Sequence, residues 1–228
     1  PGVLIPRSDS EIAVEIALAV MGLEHMPASQ FCCSESETDF GVALYTGTLR
    51  FIDVCTGSGC LAIAIAEKLR ERKVAFQALL TDISPKAIGY ARRNIDNFAL
   101  SSQLVLRECD LFPDQSSFAS VFSGEKANVI ISNPPYIRID EMNSLMPEVR
   151  DFEPEIALTD RNEGLSFYER ILSVASHYLA YDGVIIFEHG YEQADEVAKR
   201  CREYGFDRTQ CFRDYGGQPR VTMARKSV

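Results

Sequence analysis

Asn133-Pro134-Pro135-Tyr136 is the run with the most specific chemistry in the chain. Two adjacent prolines remove two backbone N–H donors and fix φ at both positions. Backbone carbonyls there can face outward as acceptors. The Asn133 side-chain carbonyl and the Pro134 carbonyl can together accept both hydrogens of one planar NH2 group. Tyr136 can pack against that group and fix its depth. Such a grip aims a weakly nucleophilic nitrogen at an electrophilic carbon, and alignment is a large lever on rate. Carbonyl dipoles also stabilise positive charge developing on the nitrogen. No strong general base is required, because the proton can leave after transfer. The run selects planar NH2 groups: the glutamine amide, or the exocyclic amines of adenine, cytosine and guanine. It does not choose among them, and as plain structure it is a rigid turn ending a strand.

Three upstream features point to a nucleotide-like ligand. Asp53-Val54-Cys55-Thr56-Gly57-Ser58-Gly59 has the composition of a tight strand-to-helix turn, in which glycine lets the backbone approach a ligand and adopt positive φ. Any tight turn can use two glycines, so this segment alone decides nothing. Asp82 closes the next apolar run and can accept hydrogen bonds from two ribose hydroxyls. Ser84, before Pro85, can cap the following helix and leave Asp82 free. Asp110-Leu111-Phe112 follows a third apolar run, where an adenine could rest on Leu111 and meet Asp110. The first turn lacks the G-x-G-x-x-G of dinucleotide sites. An order D-x-x-x-G-x-G with an acid after the second strand fits S-adenosylmethionine better, whose sulfonium methyl is already an activated electrophile.

These residues need a scaffold that brings them to one edge. Ser8-Asp9-Ser10-Glu11 reads as a capping box, with Ser8 at N-cap, followed by Ile12, Ile16 and Val20 at helical spacing to about Leu23. His25 to Thr48 is polar and irregular. Strands are predicted at Leu49–Val54, Val74–Leu80, from Leu104, at 128–132, at Val184–Glu188, and near Arg208–Phe212 and Arg220–Ala224. Helices are predicted after Gly59, from Pro85 to about Phe98, from about Gly164 to Leu179, and from about Glu192 to Tyr204. Alternating strands and helices imply a largely parallel sheet covered on both faces. The short connection between the last two strands forces an antiparallel hairpin. This is the pattern of the class I S-adenosylmethionine-dependent methyltransferase (Rossmann-like) fold, with seven strands. Residues 1–48 read as a lead-in segment with a helix and loop, and 49–228 as the catalytic domain. In such sheets ligands bind outside the carboxyl ends of strands.

The bulk composition narrows the partners. The chain has 228 residues, 46% hydrophobic, enough for one sizeable core. With 33 acidic against 23 basic residues, its net charge of -10 disfavours nonspecific nucleic-acid binding. The seven cysteines are scattered, with no C-x-x-C pair and three histidines in all, so no metal site is expected. They read as free thiols in a reducing compartment, cytoplasmic or an organelle matrix. No apolar run reaches membrane-spanning length, and no signal peptide is visible.

The full set of segments resembles the HemK/PrmC release factor glutamine methyltransferases, over nearly the whole chain. Val3-Leu4-Ile5-Pro6-Arg7 with Asp9 and Glu11 is similar to that family's LIPRP-type opening. Asp53 to Gly59 resembles its DLGTGTG loop, and Asn133 to Tyr136 its NPPY. Arg150 to Pro154 with Ala157-Leu158, Phe187 to Gly190 with Gln193, and Arg213 to Gly216 with Arg220 resemble its remaining patterns. NPPY is shared with DNA and RNA amine methyltransferases; the flanking segments are not. The resemblance implies transfer of a methyl group from S-adenosyl-L-methionine to N5 of the glutamine in the GGQ loop of class 1 peptide-chain release factors. It implies a cofactor site of Cys55, Thr56, Gly57, Ser58, Gly59, Asp82, Leu111 and Asn133. Asn133, Pro134, Pro135 and Tyr136 would hold the glutamine, with Arg7 and Glu11 bordering the pocket. Glu11 is also explained as a helix cap, and Arg7 as a surface cation.

Two departures stand out. Cys55 replaces the first loop glycine and would carry strain if that position needs positive φ. Ser8 replaces a usual proline. The chain opens at Pro1, and the family's N-terminal helical domain has no counterpart here, so an upstream part is expected to have been removed and partner docking to be incomplete. The insert from Ile137 to Asn162 is expected to form a mobile flap over the substrate. A monomer without direct nucleic-acid or membrane contact is expected. Three rivals remain: a nucleic-acid adenine-N6 methyltransferase, a glutamine methyltransferase acting on a ribosomal protein, and a nonenzymatic adenosine-binding module.

Overall fold

The structure, a computed structural model, describes residues 2–27, 30–32 and 47–226. The strands are β1 (Leu49–Val54), β2 (Phe76–Asp82), β3 (Leu104–Glu108), β4 (Ala127–Ser132), β5 (Leu179–Glu188), β6 (Arg208–Arg213) and β7 (Pro219–Arg225). The helices are α1 (Glu11–Val20), α2 (Cys60–Glu71), α3 (Pro85–Asn97), α4 (Gln115–Phe122), α5 (Pro147–Arg150), α6 (Ser166–Tyr178) and α7 (Ala194–Glu203). The strands form one sheet in the order β3-β2-β1-β4-β5-β7-β6. β1 to β5 pair in parallel, and β7 runs antiparallel between β5 and β6. This is the expected class I methyltransferase architecture.

Period-2 alternation of apolar side chains builds both faces. Phe51, Val129, Ile131 and Ile186 pack on one side with Ile16 of α1 and Ile65 of α2. Ile52, Ile130, Ile185 and Phe187 pack on the other with Phe118 of α4, Tyr168 of α6 and Val197 of α7. Central strands covered on both faces explain the near-continuous apolar runs. The strand order reverses between β1 and β4, so their carboxyl ends open a crevice at the switch point.

Local details depart from the sequence reading in three places. The capping box does not form: Ser8–Ser10 is a 3-10 turn leading directly into α1, and no side chain caps either start. Residues of αR conformation at Ser10 carry the chain into the helix without an N-cap geometry. Helix α4 was not anticipated. Asp114 caps it, accepting from the Ser116 and Ser117 amides at 3.0 Å each. Ser84 does cap α3, accepting from Ala87 N–H at 3.3 Å, yet Asp82 is not thereby left free, as shown below. The irregular stretch before β1 falls mostly outside the described residues; within them, Phe31 bridges Phe212 on β6.

Candidate active site

The turn after β1 is built from residues in unusual backbone conformations. Cys55 has φ +59°, Gly57 +58° and Gly59 +80°. The strain foreseen at Cys55 is therefore present, since a non-glycine residue in this region costs about 1–3 kcal/mol. Surrounding bonds hold the turn closed. Thr56 N–H donates to the Thr81 carbonyl at 2.9 Å, and Gly59 N–H to the Thr56 carbonyl at 2.9 Å. The Thr56 hydroxyl donates to Asp53 Oδ2 at 2.6 Å. Asn94 on α3 donates to the Ser58 carbonyl at 2.9 Å.

Asp82 ties this turn to the next one. Its Oδ2 accepts Gly57 N–H at 2.9 Å and its Oδ1 accepts Ser84 N–H at 2.8 Å. Burial raises its pKa, and these amides oppose the rise. The expectation of an unengaged Asp82 is thus corrected: the carboxylate is a hinge pin, with lone pairs remaining for a ligand. After β3, Leu111 also has positive φ, +65°, and the Thr81 hydroxyl donates to its carbonyl at 2.6 Å. Asp110 accepts from Arg170 on α6 at 2.6 Å.

These segments converge on one cleft of about 940 Å³, part of it open to solvent. Cys55, Thr56, Gly57, Ser58, Asp82 and Leu111 line it, and so do Asn133, Pro135 and Arg7. Gly59 is set back as the N-cap of α2. Pro134 and Tyr136 adjoin the lining residues Asn133 and Pro135 in the chain; Pro134 is buried, and Tyr136 packs half-buried against the apolar cluster under β4. Glu11 is exposed at the start of α1, outside the lining. Arg7 makes a two-pronged contact with buried Glu153, at 3.0 and 3.3 Å, which straps the N-terminal segment to the insert. Pro154, Ile156 and Ala157 of that insert border the cleft.

The cleft lining, with the Asp82 carboxylate, the Cys55–Ser58 turn and apolar Leu111, fits an adenosyl ligand. Asp53 is fully buried, and its Oδ1 has no hydrogen-bond partner. Burial pushes its pKa to about 7, against the Thr56 bond. An orphaned buried acceptor is costly, and protonation of the carboxyl removes that cost; Asp53 lies behind the turn and does not itself line the cleft. Burial pushes the Cys55 thiol far up, and the Cys60 thiol up to about 11. Neither is a nucleophile at neutral pH.

Asn133 to Tyr136 leaves the carboxyl end of β4, beside the β1 turn. The Ser132 hydroxyl donates to the Val54 carbonyl at 2.7 Å and locks the two strand ends together. In the sequence Gln193 stands out only as part of a pattern; in the structure it has a defined task. Its Nε2 donates to the Tyr136 carbonyl at 2.9 Å, while its Oε1 accepts Gly190 N–H at 2.9 Å. Gly164 lies so close that a Cβ there would sit 2.1 Å from the Tyr136 carbonyl oxygen. Gly164→Ala is therefore expected to displace the Tyr136 carbonyl from Gln193, lowering turnover at least about tenfold and destabilising the fold by about 2 kcal/mol or more. Thermal melts and initial rates check both effects.

Glu188, at the carboxyl end of β5, was missed as a site residue. It is buried, with Ser10 and Asn133 beside its carboxyl, and its Oε2 has no partner at hydrogen-bond distance. Burial pushes its pKa to about 7, while Ser10, Arg220 and Asn133 oppose the rise. The available signal was an acid ending the strand next to the one that carries Asn133. A carboxyl whose pKa is raised by folding binds protons more tightly in the folded state, so stability falls as pH rises from about 4.5 to about 7. Glu188→Gln removes this penalty. The variant is expected to gain about 3 kcal/mol relative to the parent between pH 4.5 and pH 8, read from urea unfolding at both values.

His189 next to it is structural. Its Nδ1 lies 2.9 Å from the Gly190 carbonyl, and its Nε2 2.9 Å from the Thr222 hydroxyl. Burial lowers its pKa to about 4, so the ring is neutral, donating from Nδ1 and accepting at Nε2.

The fold and this crevice define a class I methyltransferase domain, and the family model described as a methyltransferase domain matches residues 46–223. Among solved structures, the N-terminal domain of human METTL16 in complex with SAH aligns with TM-score 0.60 at 15% identity, covering 99% of this chain and 74% of that one. Ribosomal protein L11 methylase from Lactobacillus delbrueckii subsp. bulgaricus aligns with TM-score 0.53 at 19% identity, covering 100% and 83%. These likenesses show the fold. The release factor glutamine methyltransferase of Fusobacterium nucleatum is 36% identical over 227 residues, all of this chain and 55% of the relative. That of Clostridium acetobutylicum is 34% identical over 98% of this chain and 67% of the relative, and that of Thermodesulfovibrio yellowstonii 34% over 99% and 70%. The chain belongs to the release factor glutamine methyltransferase family. It spans 55 to 70% of the length of these relatives.

Proposed function

We propose that this chain transfers the methyl group of S-adenosyl-L-methionine to N5 of the glutamine in the GGQ loop of a class 1 peptide-chain release factor. The observation that carries the reading is one cleft lined by both the Cys55–Ser58 turn and Asn133 with Pro135. Cofactor binding falls to the Cys55–Gly59 turn, Asp82 and Leu111. Arg7 borders the substrate side, and Glu11 takes no direct part. The protein target, rather than a nucleic acid, accords with the net charge of -10. Among the described residues, no helix is long and apolar enough to cross a membrane. The reading takes the chain to act as a monomer in the cytoplasm or an organelle matrix.

When bound, S-adenosylmethionine supplies an electrophilic methyl on a positively charged sulfur. The Asn133 side-chain carbonyl and the Pro134 carbonyl accept the two amide hydrogens and aim the nitrogen. Their dipoles offset positive charge growing on that nitrogen. Gln193 fixes the chain just beyond, through the Tyr136 carbonyl. The Tyr136 phenol is pushed to about 12 by burial, so it stays protonated and serves as a packing wall rather than a base. The proton leaves to solvent after transfer.

The test uses methyl-labelled cofactor with intact release factor and with a variant whose GGQ glutamine is alanine. Label on the first alone supports the assignment; equal label on both overturns it. An adenine-containing oligonucleotide or a ribosomal protein labelled in preference would favour the corresponding rival.

A further inference from the structure

Cys32 and Cys211 face each other across an antiparallel pairing away from the cleft. Phe31 bridges Phe212, so the adjacent pair is Cys32 opposite Cys211. Cys32 N–H donates to the Cys211 carbonyl at 3.0 Å. Opposed residues of this kind have Cα atoms about 5.5 Å apart, inside the ~4.4–6.8 Å that a disulfide spans. The two sulfur atoms are in contact at 2.7 Å. Both residues are partly exposed, so a small reagent can reach them.

The electrostatics single out Cys32. Its thiol pKa is lowered, first by the Cys211 contact and then by the Arg213 cation, whose guanidinium also donates to the Cys32 carbonyl at 3.3 Å. Cys60 and Cys109 are instead pushed up to about 11 and Cys201 to about 12, in each case chiefly by burial, and Cys55 further still. Against the opposing effects of burial and Asp195, the Cys32 thiol is thus shifted in the direction that favours disulfide exchange.

We propose that Cys32 and Cys211 are a reversible redox modification site, closed to an internal disulfide by a low-molecular-weight disulfide such as oxidised glutathione. The Cys32 thiolate attacks one sulfur of the reagent, forming a mixed disulfide and releasing one glutathione thiolate. The Cys211 thiolate then attacks the Cys32 sulfur, closing the internal bond and releasing the second glutathione. Two protein thiols lose their protons and are oxidised by two electrons, and the reagent is reduced to two thiols. The bond fastens residues 30–32 to β6, which is an edge of the sheet. There the Phe31 ring already packs on Phe212 with centroids 5.2 Å apart.

The experiment equilibrates the full chain with graded ratios of oxidised to reduced glutathione, quenches with an alkylating agent, and reads intact mass and cross-linked peptides. Alkylatable thiols are expected to fall by two from seven, with the mass lower by two hydrogens before alkylation. A Cys32–Cys211 peptide is expected, and reductant should reverse it. Cys211→Ser should stop at one glutathione adduct on Cys32. Cys32→Ser should form no internal bond and react at least about tenfold more slowly at Cys211. Thermal melts establish that both variants are folded. A parent protein that accumulates only mixed disulfides, closes through Cys33, or keeps both thiols at every ratio would overturn the proposal.

Discussion

Asn133→Ala is expected to lower kcat about 10³-fold while changing the Kd for S-adenosylmethionine less than about tenfold. Losing one preorganised dipole at a developing charge costs about 10²–10³ in rate. Here the same side chain also orients the nucleophile, which places the loss at the upper end. The split follows from the geometry. Asn133 touches the cleft from the β4 side, whereas the β1 and β2 turns, to which the proposal assigns the cofactor, remain intact. Glu188 beside Asn133 is left with one neighbour fewer, so the variant should also melt somewhat lower. Single-turnover rates with labelled cofactor, together with calorimetric cofactor titration, separate the two quantities. An unchanged rate would remove Asn133 from the mechanism.

Asp82→Ala is expected to have the opposite split: cofactor Kd raised about 100-fold or more, with kcat at saturating cofactor changed far less. The carboxylate does two things at once. It holds the Gly57 and Ser84 amides at 2.9 and 2.8 Å, and it lines the cleft. Hydrogen bonds to a charged group contribute about 1.5–3 kcal/mol each, so losing the two ribose-hydroxyl bonds proposed for this carboxylate is enough for the predicted weakening. Asp82→Asn keeps the shape but offers only one acceptor oxygen and should fall between the two. Calorimetric Kd values for the parent and both variants, ordered parent, Asn, Ala, check the claim. Equal Kd values for all would detach Asp82 from cofactor binding.

The parallel sheet was readable because its strands are buried on both faces. Leu49 to Val54 and the 128–132 run are short apolar blocks ended by turn residues, and the helices between them carry apolar side chains at helical spacing. The antiparallel hairpin followed from a connection too short for a crossover. Helix α4 was missed although its signals were present: Asp114 as cap, then Phe118, Val121 and Phe122 at helical spacing. Its eight residues are too few for a confident periodicity. The capping box at Ser8 failed because tertiary burial of Ile12 and Ile16, not local capping, fixes where α1 starts.

The candidate site was legible where single residues carry distinctive chemistry, as in the double proline and the two loop glycines. The supporting residues were not. Glu188 and Gln193 act from elements more than fifty residues downstream of Asn133 in the chain, and only the fold shows that β5 ends beside β4. The double duty of Asp82 was likewise hidden. A sequence shows an acid after a strand but not which amides its oxygens will meet.

The most direct measurement is a crystal structure of this chain with S-adenosylhomocysteine and a glutamine-containing GGQ peptide. The account predicts the glutamine NH2 within hydrogen-bond distance of both Asn133 Oδ1 and the Pro134 carbonyl, its nitrogen turned toward the cofactor sulfur. A glutamine seated elsewhere, or residues 133 to 136 turned away from the bound adenosyl group, would contradict it.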